Sequence, residues 1–529
     1  MATKRKSIIT GALILTAASV ITRILGFIYR IYMSKTIGAE GMGLYQLIMP
    51  LYSLTWSICC SGFTTTIAKL VAQENAKRNY GNMGKVLKLS LLITCSIACL
   101  LSLGMYFGAH YLAIGLLNDG RVSLSLKILS FALPFMAAGS CIRGYFFGLQ
   151  ESSVPATSQV LEQIVRMSII YVLAGIMIPR GLVYACAAAV IGIFFGELLS
   201  FLYVFYSYYV FKRKNKLIQR PAWKNKQALS LIFAMALPLT MHRITGSLLA
   251  TIENLLIPQR LEMYGYTSGE AISLYGQISG MALPLIFFPS AILYALSTTL
   301  VPAVSEAIAV KNKARISYTL NRALLFTSVI GIGTSTIFIT LPDKLGHVIY
   351  NQDISSMLFM LGWMCPFWYM NITFSGILNG LGHQMYMFKE NLISSVINIA
   401  CIFFLVPMYG LPAFIGGWFV SLIYVTVSSL LKIRKSAEIH IPVMNWFIKP
   451  LLSALATGLT VNYISDTYIF PLCGDIAGLI ITIALLGCGF MFFVLLLRVV
   501  TINDIKSLFK GLPLRKQQQA QVKEKSIMQ

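Results

Sequence analysis

Apolar stretches of twenty residues or more follow one another along almost the whole chain, and that recurrence limits the fold before any single residue is weighed. A bilayer core about 30 Å thick takes roughly 20 residues of helix to cross. In hydrocarbon every backbone N–H and C=O must be satisfied internally, which leaves closed barrels or helices. The polar-apolar alternation of a barrel strand is absent, so the stretches read as helices. Charged residues make up 11% of the chain, against about 25% in a soluble domain. The first stretch is too long for a signal-peptide core and has no small-residue cleavage site, so it counts as helix one. The sequence predicts an all-α integral membrane protein with about 14 transmembrane helices. Their approximate ranges are 8–33, 41–72, 86–108, 122–148, 154–178, 181–211, 227–257, 272–305, 315–340, 354–380, 384–408, 411–432, 446–466 and 472–498.

The formal net charge of +24 belongs to topology rather than to nucleic acid. With Lys4, Arg5 and Lys6 placed in the cytoplasm, most Lys and Arg fall in alternate short loops on that side, the positive-inside pattern. Both termini are then expected in the cytoplasm, with membrane lipids as partners of the basic loops. The ten cysteines lie mostly within apolar stretches and show no metal-ligand spacing, so no cofactor or metal is expected.

The basic loop Lys212 to Lys226, with seven Lys and Arg, falls after the sixth helix. Across it the chain repeats. Pro134, Phe135, Gly144, Gly148 and Leu149 recur without gaps as Pro366, Phe367, Gly376, Gly380 and Leu381, displaced by 232 residues. A weaker echo pairs Leu44-Tyr45 with Leu274-Tyr275. Six helices per half bring each half back to its starting side, so the two are expected as parallel lobes around a central cleft. The expected division is residues 1–217 and 218–434 for the lobes, 435–500 for two additional transmembrane helices, and 501–529 for a polar cytoplasmic tail. Pro134, Pro238, Pro284, Pro289 and Pro366 are expected inside helices, where each removes a hydrogen bond and bends its helix.

Charges inside the apolar stretches are few. Each costs about 2.5–3.5 kcal/mol on insertion scales, so such residues are expected to face protein or water. Arg23 and Arg30 stand seven residues apart on helix one, about two turns, and share a stripe. Two guanidiniums on one stripe point to a polar cavity that takes an anion. Arg243, next to His242 in the seventh helix, is a candidate counterpart across the cleft. Glu162 and Arg166 are an i, i+4 pair that either neutralises itself or opens to an anion. Arg143 and Arg322 lie near helix ends, where they snorkel or touch substrate. Gln46 and Asn371 are candidate hydrogen-bonding partners for a sugar. No loop gathers a base with a nucleophile, and no phosphate-cradling glycine loop occurs, so an enzyme is not expected.

The residues T-R-I-L-G-F-I-Y-R-I from Thr22, I-G-A-E-G-M-G-L-Y from Ile37, S-Q-V-L-E-Q-I-V-R from Ser158 and R-G-Y-F-F-G-L-Q from Arg143 resemble the stage V sporulation protein B family. That family belongs with the MurJ-type lipid II flippases in the multidrug/oligosaccharidyl-lipid/polysaccharide exporter superfamily. The resemblance covers the chain apart from its tail. It implies a cell-membrane flippase for an undecaprenyl-pyrophosphate-linked glycan, such as a peptidoglycan precursor for spore cortex or cell wall. It also implies alternating access, an energy source in an ion gradient or the membrane potential, and partners among cortex or cell-wall synthesis proteins. A pyrophosphate suits guanidinium groups, which bind it bidentately. MurJ-type proteins carry an arginine at the position of Tyr29, one step from Arg30, and an acid at the start of helix two, where Gly43-Leu44-Tyr45 is neutral. Two further readings are a multidrug antiporter for organic cations, which calls for acids in the helix interiors, and a non-transporting scaffold for cortex synthesis. The excess of intramembrane arginine opposes the first, and the cost of buried charge opposes the second.

Overall fold

A computed structural model describes residues 8–214, 221–310, 313–437 and 442–500; the tail expected at 501–529 lies outside the described residues. No strand occurs among the described residues. Among the described residues, ten helical stretches are long and apolar enough to cross a membrane, or eleven if the bent pair Gly120–Ser130 and Ala132–Gly148 counts as one span. Two of the ten are divided internally by a glycine at positive φ. Gly38 (φ 69°, ψ −173°) breaks the stretch Ile8–Trp56, and Gly474 (φ 72°, ψ 176°) breaks Phe470–Leu496. Only glycine takes this backbone without strain. The helices are therefore α1 (8–37), α2 (39–76), α3 (Tyr80–Leu116), α4 (Gly120–Ser130 and Ala132–Gly148), α5 (Ser153–Arg180), α6 (Leu182–Lys214) and α7 (Asn225–Tyr264). There follow α8 (268–287 and Ala291–Ala309), α9 (Lys313–Thr340), α10 (Ser355–Gly362 and Cys365–Gly380), α11 (Gln384–Phe404), α12 (Leu411–Ala437), α13 (444–473) and α14 (475–496). These segments overlap the fourteen ranges read from the sequence one for one, with ends that differ by up to eight residues.

Three of the expected proline kinks change character. Pro289 lies outside helix altogether, in the break at 288–290 within α8. Pro134 and Pro366 do not sit inside unbroken helices; each lies in the first turn after a break, following Phe131 in α4 and Trp363-Met364 in α10. That position costs no hydrogen bond, because a first-turn N–H has no helical partner. Pro238 lies inside α7 as expected.

Contacts divide the chain into two compact units, neither of them continuous in sequence. One takes Met1–Ala295, Ile349–Met357 and His383–Ser428; the other takes Leu296–Val348, Leu358–Gly382 and Ser429–Gln529. In the first unit Phe63, Ile67, Met83, Val86, Ile142, Tyr145, Val204 and Ile232 form one buried cluster joining α2, α3, α4, α6 and α7. In the second, Val329, Ile332, Ala454, Phe490 and Val494 join α9, α13 and α14.

Lipid tails are as apolar as leucine, so helices in a bilayer associate through close packing rather than through water exclusion. The repeated glycines supply that packing within each unit. A Cβ on Gly144 would stand 2.8 Å from the carbonyl oxygen of Thr64, and one on Gly148 would stand 2.6 Å from that of Ala68. In the second unit, Gly376 meets the Ser297 carbonyl at 2.5 Å and Gly380 meets that of Val301 at 3.0 Å. The partner residues are themselves displaced by the repeat interval to within one position. The repeat is thus one helix-crossing device used twice.

The boundary segment ahead of α7 is tied to the first half of the chain. Asn82 Oδ1 accepts from the backbone N–H groups of Ala222 (2.9 Å) and Trp223 (3.1 Å), while its Nδ2 donates to buried Glu74 at 2.7 Å. Beside the break at Gly38, Glu40 accepts from Arg121 Nη1 at 2.7 Å, and Arg121 also grips Asp119 at 2.7 Å. Helix two therefore does begin with an acid, three residues ahead of the neutral Gly43-Leu44-Tyr45.

Candidate functional site

The spacing of Arg23 and Arg30 puts both on one wall of a 420 Å³ cavity in the first unit, with Gly26 and Phe27 between them and, opposite, Pro284 and Phe287 of α8 and Phe288 in the break between its two segments. The Arg23 guanidinium lies 4.5 Å from the ring centroid of Tyr294. Arg30 Nη1 donates to the carbonyl oxygen of Ser279 at 3.3 Å. That carbonyl is available because α8 widens to a π turn over Gln277–Ala282, which disturbs the ordinary ladder of the helix. Ser279 O also accepts from Gln46 Nε2 of α2 at 3.0 Å.

The backbones of α2 and α8 meet closely to allow this. A Cβ on Gly43 would fall 2.0 Å from the Ile272 carbonyl oxygen, and one on Gly276 would fall 2.2 Å from that of Ala39. Neither position admits any side chain without separating the helices.

Ser279 also borders a second cavity of 230 Å³, lined by Gln46, Pro50, Ser53, Ser247, Asn254 and Tyr275. Tyr275 donates to Asn254 Oδ1 at 2.9 Å, and Thr251 Oγ1 donates to the Pro50 carbonyl at 3.3 Å. Ser53 and Ser247 in turn border a third cavity of 350 Å³, which holds Trp56, His242, Arg243 and Phe388. Arg243 lies 6.0 Å from the Trp56 ring, and the His242 and Phe388 rings are 4.5 Å apart. Shared lining residues thus link three cavities into one polar track from Arg23 to Arg243, walled by α1, α2, α7, α8 and α11.

No described carboxylate forms an ion pair with Arg23, Arg30 or Arg243; the described pairs involve other residues. Their partners are aromatic faces and a carbonyl oxygen. An aromatic face offers a cation about 0.5–2 kcal/mol, less than a carboxylate, and leaves most guanidinium N–H groups free for an incoming anion.

The other four residues named from the sequence do not join that track. Glu162 Oε1 and Arg166 Nη2 pair at 2.7 Å with side chains 20% and 18% exposed, packed on α6 where Gly192 and Gly196 admit the α5 backbone. Arg143 does not snorkel: Nη1 donates to the buried Ser200 Oγ of α6 at 3.2 Å. These three surround Glu197 of α6, which the sequence reading passed over although a lone acid in an apolar helix is itself a signal. Glu197 Oε1 accepts from Tyr52 at 2.6 Å. Arg322 lies in the second unit, 5.4 Å from the Tyr318 ring. Tyr29, the neighbour of Arg30, is only 5% exposed and faces Tyr45 and Arg166. Of the two adjacent positions, 30 therefore meets the cavity and 29 the protein interior.

Residues 8–308, more than half of the chain, match the polysaccharide biosynthesis protein family. The chain belongs to that family. A further match, to MatE, covers residues 276–404. Stage V sporulation protein B of Bacillus subtilis (strain 168) is 30% identical over 449 residues, 84% of this chain and 86% of that protein. Lipid II flippase MurJ of the same organism is 27% identical over 359 residues, 61% of this chain and 64% of its own. Among solved structures, lipid II flippase MurJ in an inward closed conformation aligns with a TM-score of 0.67 and 17% identity, covering 92% of this chain and 98% of that one. Its likeness shows the fold. Family membership and the run of apolar helices together make this a multi-pass membrane protein of the exporter superfamily.

Proposed function

We propose that this protein flips an undecaprenyl-pyrophosphate-linked glycan across the cytoplasmic membrane by alternating access, the cargo being a peptidoglycan precursor for spore cortex or cell wall. The observation that carries the reading is the polar track from Arg23 to Arg243, whose three arginines have no carboxylate partner among the described residues. A pyrophosphate supplies the missing negative charge and matches the bidentate fork of a guanidinium. Gln46, Asn254 and the serines along the track suit a glycan's hydroxyls, and the prenyl tail stays in lipid. The relatives named above support this substrate class, since MurJ is named as a lipid II flippase. In this reading residues 1–217 and 218–434 act as two lobes that alternate around the track. Both termini stay in the cytoplasm, the membrane is that of forespore or mother cell, and cortex or cell-wall synthesis proteins are the working partners.

The test is reconstitution into liposomes with a fluorescent lipid-linked peptidoglycan precursor. Wild-type protein is expected to expose the label on the opposite leaflet, and Arg23→Ala to abolish exposure while remaining monodisperse and folded. Equal flipping by Arg23→Ala would remove that residue from the mechanism. Export of organic cations with no glycan movement would identify a drug antiporter, and neither activity would favour a scaffold.

A further inference from the structure

Away from the polar track, α6 holds a carboxylate that lines none of its three cavities. Glu197 is 4% exposed. Its Oε1 accepts from Tyr52, while Oε2 is sealed from solvent with no hydrogen-bond partner. The groups that face it are Tyr52 and Cys60 of α2, Arg143 of α4, and Glu162 and Arg166 of α5. Arg166 Nε is likewise buried and unpartnered, although Nη2 of the same guanidinium holds Glu162. Buried polar atoms are almost always paired, so an orphaned carboxylate oxygen points to a ligand or a function. Two acids and two arginines balance when both acids are ionised.

We propose that Glu197 is the proton-binding site through which this protein draws on a proton gradient. A metal cation needs several oxygen ligands at once; here one orphaned oxygen is on offer and two guanidiniums stand beside it. A proton needs one lone pair. On arrival, hydronium gives its proton to Oε2, an O–H bond forms and water is released; the cluster passes from neutral to singly positive. The same event changes the Tyr52 bond from a charge-assisted hydrogen bond to a neutral one, about half as strong. Tyr52 sits on α2 between Pro50 and Ser53, both of which line the track. Its neighbourhood has a proline inside the helix and a π turn at Ser57–Ser61, so α2 has a place to bend when that tie weakens. The proton thereby biases the wall of the substrate track without touching the substrate.

This inference adds a coupling ion to the flippase reading, and two measurements separate them. Infrared titration of the full-length protein in lipid needs no substrate. A carboxylic C=O band that grows on acidification is expected in wild type, retained in Glu197→Asp and missing in Glu197→Gln, which keeps an acceptor for Tyr52. Tyr52→Phe is expected to move the midpoint of that band. A band unchanged in Glu197→Gln overturns the assignment whatever the protein transports. In pyranine-loaded liposomes an imposed pH gradient is expected to accelerate glycan flipping by wild type and to leave Glu197→Gln unmoved. Acceleration that persists in Glu197→Gln, or that follows a sodium gradient instead, also overturns it. Failure to flip any glycan, with the Glu197 band intact, would overturn the substrate reading and leave the proton site standing.

Discussion

Two sets of arginines in the first unit face opposite circumstances. Arg143 and Arg166 lie against α6 with Glu162 and Glu197 around them, and their charge is answered within the protein. Arg23, Arg30 and Arg243 stand on a chain of cavities with rings and a carbonyl for company. The same side chain is a structural element in the first setting and, in the function proposed above, a receptor in the second. An answered charge holds helices together; an unanswered one waits for a ligand.

Substitutions in the two sets should therefore fail differently. Arg166→Ala strands Glu162 in a half-dry interior, where breaking a buried pair costs about 3–5 kcal/mol. It is expected to lower the unfolding midpoint in detergent markedly, and the double change Glu162→Leu with Arg166→Leu should restore much of the loss. A single substitution with no stability cost would place that pair with the receptors. Gly148→Val and Gly380→Val force apart the two repeated crossings, each at about 1–3 kcal/mol. Similar penalties for both would support the repeat as a packing device, and a neutral result at either would break the equivalence. Arg243→Ala removes an unanswered charge and should change stability by less than about 1 kcal/mol, while weakening binding of a lipid pyrophosphate measured by thermal shift. The smallest effect is expected for Glu40→Gln, which leaves Arg121 its hold on Asp119. The ion pair it removes is 35% exposed at Arg121 and 39% at Glu40, and such pairs contribute about 0–1 kcal/mol and fade with salt.

The helices were legible because bilayer thickness sets their length and an apolar stretch has little choice of structure. Their junctions were less so. Helix one reads as ending near Met33, yet the helical backbone continues to Gly38, where a positive φ that no side-chain pattern announces turns the chain. The Arg23 and Arg30 stripe followed from helical spacing alone. Ser279 did not, since its part is played by a backbone carbonyl beside a widened turn. Arg143 misled for a different reason. Its distance from the helix end favoured snorkelling, and a serine on a helix remote in sequence decided otherwise. Glu197 was the readable signal left unread: an isolated acid between Gly196 and Leu198, in a helix that is apolar for most of its length.

Gly38 joins α1 to α2 through one glycine, with nothing within 4 Å of where its Cβ would stand. Mechanically, α1 is a lever with that glycine as its fulcrum. Arg30 lies about 12 Å along the arm and Arg23 about 22 Å, at roughly 1.5 Å per residue. A pivot of about ten degrees would then carry the first guanidinium about 2 Å and the second about 4 Å. In the function proposed above, a diphosphate held by both would be turned as well as displaced, so a rotation too small to disturb the helix itself would become a change in the cargo's heading.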